Sequence, residues 1–339
     1  MALLIDVAKL ANVSTSTASR VLNDSVHPVS ADKRSRVLEA AQTLNYSPSA
    51  LAKAMVTGFS HMVGVIVGDA TDPDFAWIVR GVEDMARTHG YQVIVCNSDR
   101  DPPVELSYLN ALNDYRVDGV IFAGGGLNDE HYLAGINQVL QLFQKRDAIC
   151  ISLAKHFFTS FPVVVDNQQI IHFAVDYLVS LGHMRIAYIS GPGLLTTTEQ
   201  RLAGYRAALY AHRIKLDESL ILNGNYKVES GYQAADRVHA MREKPTAILA
   251  SNDMMAIGCM SRLKELNYQI PGEVSVMGID DIPFAQIVDP PLTTIALPMY
   301  ELGKVGMECL VKLHKGEELD QKGIVLPHTL VVRKSTGPR

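Results

Sequence analysis

No uncharged apolar run in this chain approaches the roughly 20 residues that a membrane-spanning helix needs. Met1 to Ser14 is interrupted by Asp6 and Lys9 and lacks the basic-then-apolar order of a secretion signal. A soluble cytoplasmic protein with no membrane partner is therefore expected. Cysteine is scarce: Cys96, Cys150, Cys259 and Cys309 are far apart and form no C-x-x-C pair, so neither a disulfide frame nor a zinc site is expected. H-E-x-x-H, G-x-S-x-G and G-x-x-x-x-G-K-[ST] are missing, which removes the most recognisable hydrolase and nucleotide-binding signatures. Gly124-Gly125-Gly126 could cradle a phosphate, but a bare glycine run is more often a turn. No catalytic residue, metal or organic cofactor is expected.

What is present divides into two textures near residue 60. Residues 1–60 carry six basic and four acidic side chains, a net +2, which leaves −7 on the rest of a chain whose total is −5. That asymmetry fits a DNA-binding head on an acidic body without requiring one. Beyond residue 60, Val- and Ile-rich runs such as Val63–Val67, Val120–Ala123, Ile186–Ser190 and Val274–Ile279 alternate with helical segments. Strands that are continuously apolar belong in parallel sheets covered on both faces. Two successive βαβαβ series predict two doubly wound lobes whose strand C-termini meet at a shared cleft.

Residues 4–45 predict three helices. Val7, Leu10 and Ala11 share a stripe on the first, and Asn12 suits the left-handed turn after it. Ser14 is placed to cap the second helix, Thr15–Asn23, with Ala18, Val21 and Leu22 inward and Thr15, Ser16, Ser19 and Arg20 outward. Ser30 is placed to cap the third, Ala31–Leu44, with Val37, Leu38, Ala41 and Leu44 inward. A helix, a tight turn and a second helix bearing short polar groups and an arginine can enter a DNA major groove, where arginine can bond guanine. A three-helix bundle with a solvated face fits the same spacing.

Asp6-Val7-Ala8-Lys9-Leu10-Ala11-Asn12-Val13-Ser14, Thr17-Ala18-Ser19-Arg20-Val21-Leu22-Asn23 and Leu44-Asn45-Tyr46-Ser47-Pro48 closely resemble the headpiece of the LacI/GalR family of bacterial transcription regulators. The resemblance continues through Arg201-Leu202-Ala203-Gly204-Tyr205, Ser251-Asn252-Asp253 and Gly278-Ile279-Asp280-Asp281, in order along essentially the whole chain. It implies an α/β protein: a three-helix helix-turn-helix headpiece (1–48), a hinge helix (49–58) and a two-lobed, periplasmic-binding-protein-like core (59–339). The N-lobe would span about 59–160 and 292–323, and the C-lobe about 161–291 and 324–339. It also implies a homodimer on a near-palindromic operator in double-stranded DNA. Thr15, Ser16 and Arg20 would face base edges; Ser14, Thr17, Ser19, Asn23, His27, Ser30 and Tyr46 would mostly touch phosphates; Leu4 matches a further contact position. In the hinge, Ser49, Ala52 and Met55 would contact DNA, Met55 as an apolar wedge between base pairs. No leucine heptad follows Arg333, so a tetramer is not expected.

The same resemblance places Phe75, Thr197, Arg201, Asn252 and Asp280 around a small-molecule effector between the lobes, with Asp253 capping the helix that follows. A sugar is the expected ligand, in an inducible repressor of carbohydrate-use genes. A purine or nucleoside is the alternative, since Phe75 and Trp77 could stack a base. A free sugar-transport protein would share the core but need a secretion signal and no headpiece.

Overall fold

The computed structural model describes residues 2–23, 27–47, 59–320 and 322–339, so the hinge positions Ser49, Ala52 and Met55 lie outside the described residues. The chain divides into two compact units, Met1–His61 and Met62–Arg339.

The first unit contains α1 (Leu4–Leu10), α2 (Thr15–Leu22) and α3 (Ala31–Thr43). Asn12 turns the chain between α1 and α2 at φ 51°. The Ser14 hydroxyl accepts the Thr17 N–H at 3.1 Å, satisfying one of the donors orphaned at a helix start. Val7, Ala8, Ala11, Ala18, Val21, Val37, Ala40 and Ala41 form the core. Two inward assignments are corrected: Leu10 is 54% exposed and Leu38 49% exposed. Helices that meet through alanine and valine approach closely, so the buried stripe is narrow and Ala8 and Ala40 occupy it instead. Ser30 stands before α3, but its side chain makes no capping bond.

The second unit holds two six-stranded sheets. The first contains β1 (Met62–Val67), β2 (Gln92–Asn97), β3 (Gly119–Phe122), β4 (Ile149–Ser152) and β5 (Phe161–Val165). Its helices are α4 (Pro73–Thr88), α5 (Pro102–Asp114) and α6 (Glu130–Gln144). The second lobe runs through α7 (Asn167–Ser180), β6 (Ile186–Ser190), α8 (Thr196–Ala211), β7 (Ile221–Asn223), α9 (Val228–Ala240), β8 (Ala247–Ala250), α10 (Asp253–Glu265), β9 (Ser275–Asp280) and β10 (Thr293–Ala296). The chain then returns through α11 (Met299–His314), β11 (Ile324–Leu326) and β12 (Thr329–Val331). Strand orders are β11-β5-β4-β3-β1-β2 and β12-β10-β9-β8-β6-β7. Every pairing is parallel except β10 with β12.

Both faces of each sheet are covered, which is why the strands lack polar alternation. In β1, Val63, Val65 and Val67 enter one apolar cluster while Ile66 enters the cluster on the opposite face. In β6, Ala187 and Ile189 pack on one side, Ile186 and Tyr188 on the other. Sheet membership corrects the expected lobe limits: 161–165 and 324–326 pair in the first sheet, and 293–296 in the second. A short apolar run can join either sheet; hydrogen-bond register with its neighbour decides, and that is a tertiary property.

Candidate functional site

On α2 of the first unit, Thr15, Ser16 and Arg20 are exposed along one side, as the spacing predicts. The other small polar groups hold one another. Ser14 Oγ lies 2.9 Å from Ser16 Oγ and 2.8 Å from Thr17 Oγ1, and Asn23 Nδ2 donates to Ser19 Oγ at 3.2 Å. His27 and Ser30 are exposed, whereas Leu4 and Tyr46 are half-buried against the headpiece core. Rows of hydroxyls around one exposed guanidinium present donors and acceptors suited to phosphates and base edges.

In the second unit, the C-terminal ends of β1, β3, β5, β8 and β9 border a cleft of about 910 Å³, counting the space that opens to solvent. Crevices at strand C-termini are where doubly wound sheets bind ligands. The cleft contains all five expected effector residues: Phe75, Thr197, Arg201, Asn252 and Asp280. Arg201, in the second turn of α8, is only 5% exposed. Its Nε donates to Asn167 Oδ1 at 2.8 Å, one terminal nitrogen donates to the Ser251 carbonyl, and the other is 3.7 Å from Asp280 Oδ1. Burial opposes its charge, but Asp280, Tyr226, Tyr188 and Asp74 together more than restore it.

Asp280 ends β9 at φ 118°, a conformation rare outside glycine. Its neighbour Asp281 turns away to Arg333 at 2.7 Å. Asn252, not Asp253, caps α10: its Oδ1 accepts the Met255 N–H at 3.0 Å, and its Nδ2 donates to the Tyr226 carbonyl at 3.0 Å. Asp253 instead accepts the Thr294 hydroxyl at 2.6 Å and the Ile282 N–H at 3.0 Å. The cap moved one residue because the Asn252 backbone is still extended, at φ −153° and ψ 166°, where a cap residue belongs.

Sequence reasoning missed Asp72, Asp74, Arg100, His156 and Tyr226, all of which line the cleft. The Arg100 guanidinium sits 5.7 Å from the Phe75 ring centre and 5.4 Å from that of Tyr226, and 3.6 Å from Asp72. Phe75, expected to stack against ligand, thus already carries a cation on its ring. Arg100 and Tyr226 have φ of 59° and 67°, a backbone feature with no signature in the sequence. Burial pushes His156 down to about 4, so its neutral ring donates Nε2–H to the Gly124 carbonyl at 3.0 Å. Trp77, 48% exposed, lines a separate adjacent cavity with Asp74, Asp281, Tyr300 and Glu301. That cavity shares Asp74, Asp280 and Met299 with the main cleft, which Phe75 lines. The Gly124–Gly126 run is a turn whose last N–H donates to Thr196 Oγ1 at 2.8 Å across the lobes.

Asp74 and Asp280 face each other from opposite lobes in hydrogen-bond contact. Burial, together with Asp72 and against the relief from Asp280 and Arg201, lifts Asp74 to about 7. A carboxyl raised in the folded state holds a proton that the unfolded chain releases near pH 4, so stability falls as pH rises from about 4 to 7. Asp74→Asn is expected to raise the melting temperature more at pH 8 than at pH 5. Melts at the two pH values check this, and an equal change at both would contradict it.

Residues 3–49 match the family described as "Bacterial regulatory proteins, lacI family", and residues 175–336 match "Periplasmic binding protein-like domain". The chain is 32% identical to catabolite control protein A of Priestia megaterium, covering 98% of both chains. It is 31% identical to the HTH-type transcriptional repressor PurR of Vibrio campbellii, covering 99% of this chain and 98% of the relative. Among solved structures, the lac repressor dimer bound to operator and the anti-inducer ONPF superposes with a TM-score of 0.85 at 28% identity, covering 99% of both chains. The transcriptional regulator CelR–cellobiose complex gives a TM-score of 0.71 at 27% identity, covering 99% of this chain and 100% of the other.

Proposed function

Because the chain belongs to the LacI family of bacterial regulatory proteins, we propose that it is a homodimeric repressor of carbohydrate-use genes. A hydroxylated small ligand between the core lobes would set its affinity for a near-palindromic operator. The observation that carries this reading is the buried group Arg201–Asn167–Asp280 at the strand ends of a two-lobed cleft. Fixed charged groups with apolar walls suit a polyol better than a purely apolar ligand. A similar chain solved with cellobiose supports a sugar.

The switch requires a ligand that favours one lobe arrangement over the other, since equal affinity for both shifts nothing. The lobes of the second unit meet at the cleft mouth, where Leu127 and Leu195 form an antiparallel bridge and Thr196 Oγ1 donates to the Lys155 carbonyl at 2.6 Å. A ligand that holds this arrangement has a structural element to act on.

The test is operator selection from a random DNA pool, followed by anisotropy titrations with and without a panel of sugars and purines. Sugar-dependent affinity is expected; indifference to every compound would overturn the reading. In the same assay Arg20→Ala is expected to cost about 1–3 kcal/mol at one base position and relax preference there. Uniform weakening on all sequences would remove Arg20 from base reading.

A further inference from the structure

The charges in the cleft do not balance. Asp72 has Arg100 at 3.6 Å, and Asp280 has Arg201 at 3.7 Å. Glu105 accepts the Tyr132 hydroxyl at 2.5 Å, and burial lifts its carboxyl toward the neutral form. Asp74 is the remaining carboxylate: among the described residues, no lysine or arginine nitrogen lies within 4 Å of it. It reaches from α4 of the first lobe to Asp280 of the second, so closing the lobes presses two acidic groups together.

Two carboxylates can make that contact only with a proton or a cation between them. The adjacent cavity offers no relief: among its described lining residues are Asp281 and Glu301, the rings of Trp77 and Tyr300, and no lysine or arginine. Acidic groups beside aromatic faces make a local field that attracts an organic cation. Among the described residues no group of three or more metal-ligating side chains occurs, so the donor set does not match a calcium-like ion.

Resting on the reading of the cleft as an effector site, we propose that the effector carries a protonated amine, which lodges between Asp74 of the first lobe and Asp280 of the second. The ammonium donates to both carboxylates, and hydroxyls on the same molecule reach the Arg201 side of the cleft. This couples occupancy to closure. In the empty cleft a proton holds Asp74 to Asp280; the ammonium replaces that proton, which leaves to solvent, and ties both lobes to one ligand, giving it the differential affinity a switch needs.

The probes are matched hexoses on the full-length protein: glucose, galactose and mannose against their 2-amino and 2-acetamido forms, by calorimetry and by operator anisotropy. At least one amino sugar is expected to bind about tenfold tighter than both its parent and its acetamide, since charge-assisted bonds exceed neutral ones. Asp74→Asn, shown folded by its melting curve, should cut that preference to below about threefold. Binding of neutral hexoses with no amine preference in the wild-type protein would overturn the proposal while leaving the effector cleft standing. A preference that survives in Asp74→Asn would overturn it as well. If no sugar of either kind binds or alters operator affinity, both the cleft reading and this inference fall.

Discussion

Arg201→Met is expected to abolish ligand response and to destabilise the core by about 3–5 kcal/mol, the usual cost of removing one partner of a buried ion pair. Methionine fills much of the volume, so the loss is electrostatic and not a cavity effect. The substitution strips the donors from Asn167 Oδ1 and the Ser251 carbonyl, and leaves Asp280 near Asp74 and Asp253 with no cation beside it. Burial already holds Asp280 and Asp253 well above the ordinary carboxylate range. Without Arg201 their proton affinity rises further, so the variant should lose less stability at pH 5 than at pH 8. Urea titrations at both pH values measure this. A variant as stable as the parent at pH 8 would show that the cluster does not hold the lobe together. Arg201→Lys keeps the charge but not the fork that reaches three acceptors, so it should recover stability only in part and ligand response poorly.

Gly303→Ala sets two effects against each other. In an isolated helix, alanine would gain about 1 kcal/mol over glycine. Here α11 lies backbone-to-backbone on α4: a Cβ at Gly303 would fall inside the Ile78 carbonyl oxygen, and one at Gly81 inside that of Tyr300. A carbonyl fixed in a helix cannot swing aside as a side chain tip can, so the helices must separate, and the apolar contacts of Ile78 and Leu302 loosen with them. Overpacking wins, and the expected net loss is about 2 kcal/mol, a fall of roughly 4–8 °C in melting temperature. Gly193→Ala is the control: nothing lies within 4 Å of its Cβ position, and no loss is expected. Equal melting of Gly303→Ala and the parent would disprove the close approach.

The headpiece was legible because its determinants are local. Ser14 caps α2, Asn12 takes the left-handed turn, and Ala18 and Val21 recur at helical spacing, all within a few residues of the contacts they make. Leu10 and Leu38 went astray because periodicity names a stripe but not its width, which depends on how closely three helices approach. The strand runs of the core were equally visible, yet their sheet was not: Phe161–Val165 and Ile324–Leu326 pair although Val163 and its partner Ile324 are 161 residues apart. In the cleft, Arg201 and Asp280 were reached through motif resemblance, whereas Arg100 and Tyr226 left no trace, since spacing marks neither their positive φ nor the contact of one with the other across the lobes.

What the residues alone determined about this protein is therefore its sequence of elements and its two-part organisation, because caps, turns and apolar periods act over one or two turns of chain. Which strands share a sheet, which helices touch through glycine, and which carboxylate is left without a cation were decided only in three dimensions. Those properties depend on distances between atoms hundreds of residues apart, and it is there, at Asp74 and Asp280, that the structure departs furthest from anything spacing could foretell.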